Sequence, residues 1–224
     1  MTKTALVFGG TGLVGKYLIK LLCKSEQYVK VVSFSRKPCG YSHPILTERI
    51  SELDNLAKIS GEIIGHDLFC CLGTTIEKAG SKENFRKVDF YMPVELATIA
   101  SNNKIQSLIV VSSIGADDQS ASYYLRTKGK MEIRIMQCAV PKISIVRPSI
   151  LLGPRKEFRF GEEVGKFVMK LVSPLMLGKF KKYRGIHAET VAMAMLAIAS
   201  NDEADDEVYE SDELVIIAKG TRLE

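Results

Sequence analysis

Thr4-Ala5-Leu6-Val7-Phe8-Gly9-Gly10-Thr11-Gly12-Leu13-Val14-Gly15 is the stretch whose reading decides the fold. Thr4 to Phe8 is a short apolar run of the kind buried on both faces of a parallel sheet. A glycine-rich turn follows. Val14, Leu18, Leu21 and Leu22 then recur at helical spacing through Cys23. The unit reads as strand, tight turn, helix.

Glycines at 9, 12 and 15 give this turn a GxxGxxG pattern, and each spacing has a physical use. Gly9 permits the sharp turn off the strand. Gly12 lets a diphosphate approach backbone N–H groups with no Cβ in the way. Gly15 lets the helix pack closely on the sheet. The start of the helix then faces the phosphates, where its dipole favours negative charge. The candidate diphosphate-binding residues are Gly9, Thr11, Gly12, Leu13, Val14 and Gly15.

The same rhythm continues outward. Tyr28 to Phe34 is β-rich and ends at the polar turn Ser35-Arg36-Lys37-Pro38. A weaker strand is expected near Glu48 to Ser51, and another at Leu68 to Leu72. A long helical pattern covers Lys82 to Asn102, with a kink expected at Pro93. Ser107 to Ser112 is a strand, Tyr123 to Cys138 a helix and Lys142 to Val146 a strand. Gly161 to Val172 and Thr190 to Ala199 read as helices, Asn201 to Glu207 as an acidic solvated loop and Leu214 to Ala218 as a last strand. Strands alternating with helices specify an α/β fold: a Rossmann-like, doubly wound parallel sheet of about seven strands. Residues 1–224 read as a single domain, with small substrate-lobe elements within about 153–213. Lys179 to Arg184 is basic and reads as a solvated face.

The end of the second strand bears on the cofactor. A site for NAD usually places Asp or Glu there to hold the ribose 2′-hydroxyl. Here stand Ser35, Arg36 and Lys37. Charge-assisted hydrogen bonds contribute about 1.5–3 kcal/mol each. One or two to a 2′-phosphate favour NADP(H) over NAD by roughly ten- to a thousand-fold or more. NADP(H) is therefore the expected cofactor.

Ser112 and Ser113 end the fifth strand, at the carboxyl edge where such sheets bind ligands. Tyr124 and Lys128 follow as YxxxK, a spacing that puts both on one helix face. Tyr124 would pass a proton to a carbonyl oxygen, Lys128 would stabilise the phenolate and hold the nicotinamide ribose, and Ser113 would polarise the oxygen. Cys70 and Cys71 point to opposite faces of their strand and read as packing residues.

Composition bounds the rest. The chain has 224 residues, 46% hydrophobic and 25% charged, with a net charge of +5. Such a mild excess favours solubility or small anions over nucleic acid. Five cysteines without a CxxC pair argue against a disulfide framework, and three histidines without metal-ligand spacing argue against a metal site. The N-terminus does not read as a signal peptide, and no apolar run reaches the length of a membrane span. A cytoplasmic setting, a small-molecule substrate and no nucleic-acid or membrane partner are expected. A homodimer or a protein partner is left open.

Together GGTGLVG, the strand-end SRK, the serine pair and YxxxK resemble the short-chain dehydrogenase/reductase superfamily, and the glycine spacing resembles its extended and atypical branches. His66 to Thr75 (HDLFCCLGTT) with Lys78-Ala79-Gly80, Val88-Asp89, Gly115-Ala116-Asp117, Lys128-Gly129, and Arg147-Pro148 with Leu151-Leu152 are similar to the Tat-interactive-protein family of NADPH-binding, oxidoreductase-like proteins. The similarity spans about Thr4 to Gly153. It implies a Rossmann fold with a small substrate lobe and NADPH in the cleft. It implies Leu72, Gly73 and Thr74 beside the cofactor, with Ser112, Tyr124 and Lys128 also lining it and Pro148, Ser149 and Ile150 near the nicotinamide. It further implies catalysis by Ser113, Tyr124 and Lys128, with Ser112 as the alternative serine. The expected activity is an NADP(H)-dependent oxidoreductase acting on a small carbonyl or alcohol. A non-catalytic NADPH-binding regulator is the alternative. A nucleotide-sugar epimerase or dehydratase is disfavoured by chain length.

Overall fold

The computed structural model describes residues 2–153, 182–201 and 207–220. The strands are β1 (Lys3–Phe8), β2 (Tyr28–Ser35), β3 (Leu46–Ile50), β4 (Asp67–Cys70), β5 (Ser107–Val111), β6 (Lys142–Arg147), β7 (Leu151–Leu152), β8 (Ile186–His187) and β9 (Glu207–Glu210). The longer helices are α1 (Leu13–Lys24), α4 (Met92–Asn102), α5 (Tyr123–Ile135), α6 (Ala188–Ser200) and α7 (Ser211–Gly220), with the short α2 (Ile76–Ala79) and α3 (Lys82–Arg86) between β4 and α4.

Seven strands form one sheet in the order β3-β2-β1-β4-β5-β6-β9, and every neighbouring pair is parallel. The order reverses between β1 and β4, whose registers match Ala5 to Asp67 and Phe8 to Cys70. A ligand crevice opens outside the carboxyl ends at such a reversal. β7 and β8 pair separately.

The side-chain period of two sorts each strand between two cores. Ala5 and Val7 join Leu18 and Leu22 of α1, Val191 and Met195 of α6 and Leu214 of α7. Leu6 and Phe8 join Leu96 and Ala100 of α4 and Met131 and Ile135 of α5. Leu18, Leu22 and Leu96 are fully buried, and each stabilises the fold by about 1.5–3 kcal/mol. The doubly wound parallel sheet of seven strands is thus present as the strand–helix rhythm requires.

Several expectations need correction. Leu214 to Ala218 is not a strand: it lies inside α7, and the seventh strand is Glu207–Glu210. The run Leu214 to Ile217 is continuously apolar, which periodicity alone cannot assign. Asp212 and Glu213 favour a helix start there. Leu214 and Ala218, one turn apart, are buried, while Ile216 is exposed. Glu207 accordingly opens a strand rather than closing a loop. The long helix over Lys82 to Asn102 is three pieces: α3, a π-turn at Lys87–Tyr91 and α4. Pro93 sits in the first turn of α4, where its missing N–H is tolerated, and the irregularity lies before it. The strand Leu68 to Leu72 ends at Cys70, and the weak third strand spans Leu46–Ile50.

The helix expected at Gly161 to Val172, most of the anticipated substrate lobe and Lys179 to Lys181 lie outside the described residues. Lys182 of that basic segment pairs with Glu210 at 2.6 Å.

Candidate functional site

Gly9 leaves β1 with φ of +84°, and a Cβ there would lie 2.5 Å from the Cys71 carbonyl oxygen beyond β4. A Cβ on Gly15 would lie 2.3 Å from the Gly9 carbonyl oxygen, and one on Gly12 3.1 Å from it. The Gly12 N–H donates to Gly9 O at 2.9 Å and closes the turn. Gly12 is the N-cap of α1. No side chain caps this helix, and its first turn carries no acidic residue. Its first N–H groups thus face the crevice without a resident carboxylate, the arrangement that receives a diphosphate. Thr11 is exposed beside them, Leu13 is half-buried and Val14 is packed into the core. A Cβ on Gly153 would lie 3.1 Å from the Leu13 side chain, so the end of β7 approaches the same turn.

One strand over, Phe34 stacks on Phe8 with centroids 4.6 Å apart. The buried Ser35 hydroxyl donates to Lys37 O at 2.7 Å. This tight turn leaves Arg36 and Lys37 exposed, and neither makes an ion pair with another described residue. Two cations without an ion pair to a described residue therefore follow β2, at the position where a carboxylate would select NAD.

Across the strand-order reversal, Leu72, Gly73 and Thr74 follow β4. The Thr74 N–H donates to Asp89 Oδ2 at 2.8 Å. Asp89 stands in the π-turn and is fully buried. Its Oδ1 lies 2.8 Å from Lys128 Nζ, itself buried on α5. A Cβ on Gly73 would meet Asp89 Oδ1 at 3.4 Å and Lys128 Nζ at 3.9 Å, so Gly73 covers this pair. Burial alone would lower the Lys128 pKa. The Asp89 carboxylate, together with Tyr124, outweighs that penalty and raises it to about 12. Lys128 is therefore charged throughout the physiological range.

Tyr124 sits one turn before Lys128. Its ring tilts against the buried Phe85 at 5.5 Å. Its hydroxyl makes no hydrogen bond to another described residue, whereas that of Tyr123 donates to Lys82 O at 3.4 Å. The close approach of α5 depends on Gly129, where a Cβ would lie 2.3 Å from Asp117 C and Asp118 N.

The two serines after β5 part company. Ser112 is buried, and its hydroxyl donates to Glu132. Glu132 is gripped by Arg147, with Nε 3.1 Å from Oε1 and a terminal nitrogen 2.5 Å from Oε2. Ser113 is half-buried, and its hydroxyl makes only a 3.4 Å bond to Ile114 O. The Ser112 hydroxyl proton is therefore spent on Glu132. Beyond β6, the Pro148 carbonyl accepts from Ile114 N at 3.0 Å. The Ser149 hydroxyl donates to Arg184 O and accepts from Ser211 Oγ at 3.1 Å. That side chain ties the segment after β6 to the residues before β8 and to the start of α7, while Ile150 is exposed. Cys70 belongs to one core and Cys71 packs on the other. Burial pushes the Cys70 thiol up to about 11, which leaves it inert near neutrality.

Asp89, Glu132 and Gly129 had no role assigned from sequence. Asp89 offered a signal, being a lone carboxylate between the apolar residues Phe85, Val88 and Phe90. Such a residue on a core face needs a buried partner. Among the described residues, no group of three His, Cys, Asp or Glu side chains is arranged to hold a metal, and no helix is long and apolar enough to cross a membrane.

A glycine cradle at a strand-order reversal, with Ser, Tyr and Lys beside it, defines the short-chain dehydrogenase/reductase class of Rossmann proteins. The chain belongs to the NAD dependent epimerase/dehydratase family, whose sequence profile matches residues 5–210, and within it to the atypical members that resemble the Tat-interactive proteins. It is 32% identical to protein FMP52-1, mitochondrial, of Scheffersomyces stipitis, with 96% of this chain and 99% of that one covered. It is 35% identical to protein FMP52, mitochondrial, of Debaryomyces hansenii, covering 69% of each. Protein HTATIP2 of Rattus norvegicus is 30% identical, covering 71% of this chain and 67% of that one. Among solved structures, the Bordetella bronchiseptica enzyme WbmH in complex with NAD+ superposes with a TM-score of 0.72 at 12% identity, covering 94% of this chain and 76% of that one.

The names of the FMP52 relatives contradict the cytoplasmic expectation. That expectation leaned on unpaired thiols, which argue only against an oxidising setting and do not distinguish between reducing compartments.

Proposed function

We propose that this protein is an NADP(H)-dependent oxidoreductase that reduces a small carbonyl compound or oxidises the matching alcohol. The observation that carries the reading is Tyr124: its hydroxyl is uncommitted among the described residues, and Lys128 stands one turn further along α5 with its charge held by Asp89 against the cost of burial. Family membership and the neighbours' folds support an enzyme. The step to NADP(H) rests on Arg36 and Lys37.

Gly9, Thr11, Gly12, Leu13, Val14 and Gly15 would hold the diphosphate through backbone N–H groups. Arg36, with Lys37 beside it, would hold the 2′-phosphate. Gly73 and Thr74 would border the nicotinamide half, with Pro148 and Ile150 opposite. A reduced nicotinamide held there would supply hydride to the carbonyl carbon. Tyr124 gives its proton to the carbonyl oxygen, so a carbonyl plus hydride plus proton becomes an alcohol. Ser113 hydrogen-bonds that oxygen and polarises it. Lys128 stabilises the phenolate left behind.

The test is a screen of small aldehydes and ketones with NADPH, comparing the parent with Tyr124→Phe. The expected outcome is reduction by the parent, lost about a hundredfold or more in the variant, with cofactor still raising the melting temperature of both. A parent that binds NADPH and reduces nothing would establish the non-catalytic regulator instead.

A further inference from the structure

Glu132 is a buried carboxylate with no direct part in the carbonyl chemistry. It stands on α5 one turn beyond Lys128, so Tyr124, Lys128 and Glu132 share one face of that helix at four-residue steps. Arg147, the last residue of β6, grips it on both oxygens. Its Nε lies 3.1 Å from Oε1 and 3.2 Å from Oε2, and a terminal nitrogen lies 2.5 Å from Oε2. Oε1 also accepts the Ser112 hydroxyl, just past the end of β5. One side chain thus binds α5 to the carboxyl ends of two neighbouring strands. A forked guanidinium–carboxylate pair fixes direction as well as distance.

The carboxyl end of β5 leans on few supports. Its pairing with β4 ends at Val110, opposite Cys70. Beyond that point its sheet bonds go to the β6 side: Ser112 N–H donates to Val146 O at 2.8 Å, and Ile114 N–H to Pro148 O at 3.0 Å. Ser113 sits between these two bonds, and its own hydroxyl makes only the 3.4 Å bond to Ile114 O. The place of Ser113 relative to Tyr124 is therefore set by what joins this segment to α5. The Ser112–Glu132 bond is one residue away. The close contact of Gly129 with Asp117 and Asp118 is four residues further along the loop.

We propose that Glu132 is a positioning residue: by clamping the ends of β5 and β6 to α5, it places the Ser113 hydroxyl against that of Tyr124. The proposal rests on the reading of Ser113 and Tyr124 as the groups that polarise and protonate a carbonyl oxygen, since both hydroxyls must then reach one atom. Each element supplies one component. α5 brings Tyr124 and Lys128, β5 brings Ser113, and β6 brings Pro148 to the expected nicotinamide site. Glutamine cannot take over the clamp. It keeps one accepting oxygen, and its amide group opposes a donor of Arg147 or Ser112.

The experiment follows amide hydrogen exchange by NMR in the cofactor-free full chain, comparing the parent with Glu132→Gln. Relative to the parent, the Ser112 and Ile114 amides are expected to speed up about tenfold more than those of Ile109 and Ile145 inside the strands, the equivalent of one buried hydrogen bond lost locally. A residue that only stabilised the whole fold would speed all four alike. That result, or unchanged exchange at Ser112 and Ile114, overturns the proposal. Kinetics give a second readout. Ser113→Ala is expected to cost about a hundredfold in the parent and about tenfold or less in Glu132→Gln, because the two residues act as a unit. Equal losses in both backgrounds would show that Ser113 keeps its place without Glu132, and the proposal fails. If Glu132→Gln does not fold, Ser112→Ala/Glu132→Leu/Arg147→Met removes the three polar partners together, since apolar residues often replace a buried ion pair without loss of stability. It carries the same two expectations. No cofactor or substrate enters the exchange measurement. A parent that reduces nothing would remove the catalytic reading of Ser113, while the exchange rates still decide whether Glu132 holds its segment.

Discussion

The buried Ser112 hydroxyl is donated to Glu132, while its neighbour Ser113 keeps a hydroxyl with one long bond at the carboxyl edge of the sheet. Two adjacent serines that the motif treats alike thus have different work. Ser113→Ala is expected to lower carbonyl reduction about a hundredfold with cofactor affinity retained, the loss typical of one oxyanion donor. Ser112→Ala is expected to destabilise the fold by about 1–3 kcal/mol, because the Glu132 oxygen loses a buried donor. Steady-state kinetics and denaturant unfolding of the two variants, measured side by side, check the division. Equal kinetic losses would refute it.

Arg36 stands exposed beyond the buried Ser35, with no carboxylate among the described residues spending its charge. Arg36→Ala is expected to weaken NADPH binding about tenfold to a hundredfold, the equivalent of one charge-assisted hydrogen bond, and to leave NADH binding within a factor of two. Calorimetric titration with both cofactors measures this. An unchanged preference would remove the 2′-phosphate assignment.

Gly15 is held against backbone rather than a movable side chain. A Cβ there lies 2.3 Å from the Gly9 carbonyl oxygen. Gly15→Ala is expected to cost about 1–3 kcal/mol of stability and to abolish the rise in melting temperature on adding NADPH. Gly61→Ala is the control, since a Cβ there meets nothing within 4 Å; it is expected to stay within about 0.5 kcal/mol of the parent.

Alkaline pH should weaken the fold in two windows. The Cys70 thiol is raised by burial from 9.0 to about 11. The folded state holds that proton more tightly, so its contribution is whole below pH 9 and lost as pH rises through 11. Lys128 is raised from 10.5 to about 12. Its contribution, on the order of 2 kcal/mol, is whole below pH 10.5 and lost through about 12. Urea midpoints measured across this range are expected to fall in both windows. In Asp89→Leu/Lys128→Met the upper fall should disappear and the lower one persist. An unchanged upper fall would show that the ion pair does not cause it.

Much of the architecture was legible because it depends on local chemistry. An apolar run, glycines at 9, 12 and 15 and a helical period specify a strand–turn–helix unit before any partner strand is known, since the turn requires the absence of Cβ atoms at those positions. YxxxK likewise needs only helix periodicity to place Tyr124 and Lys128 one turn apart. Tertiary structure decided the rest. Leu214 to Ala218 is apolar enough for a strand, and only packing onto the α1–α6 side of the sheet makes it helix α7. Ser112 and Ser113 differ in nothing local; Glu132 and Arg147, distant along the chain, separate them. Asp89 reaches Lys128 across 39 residues because a π-turn and α5 meet beneath Gly73. Charge balance between two such side chains depends on a distance in space, and sequence spacing does not contain it.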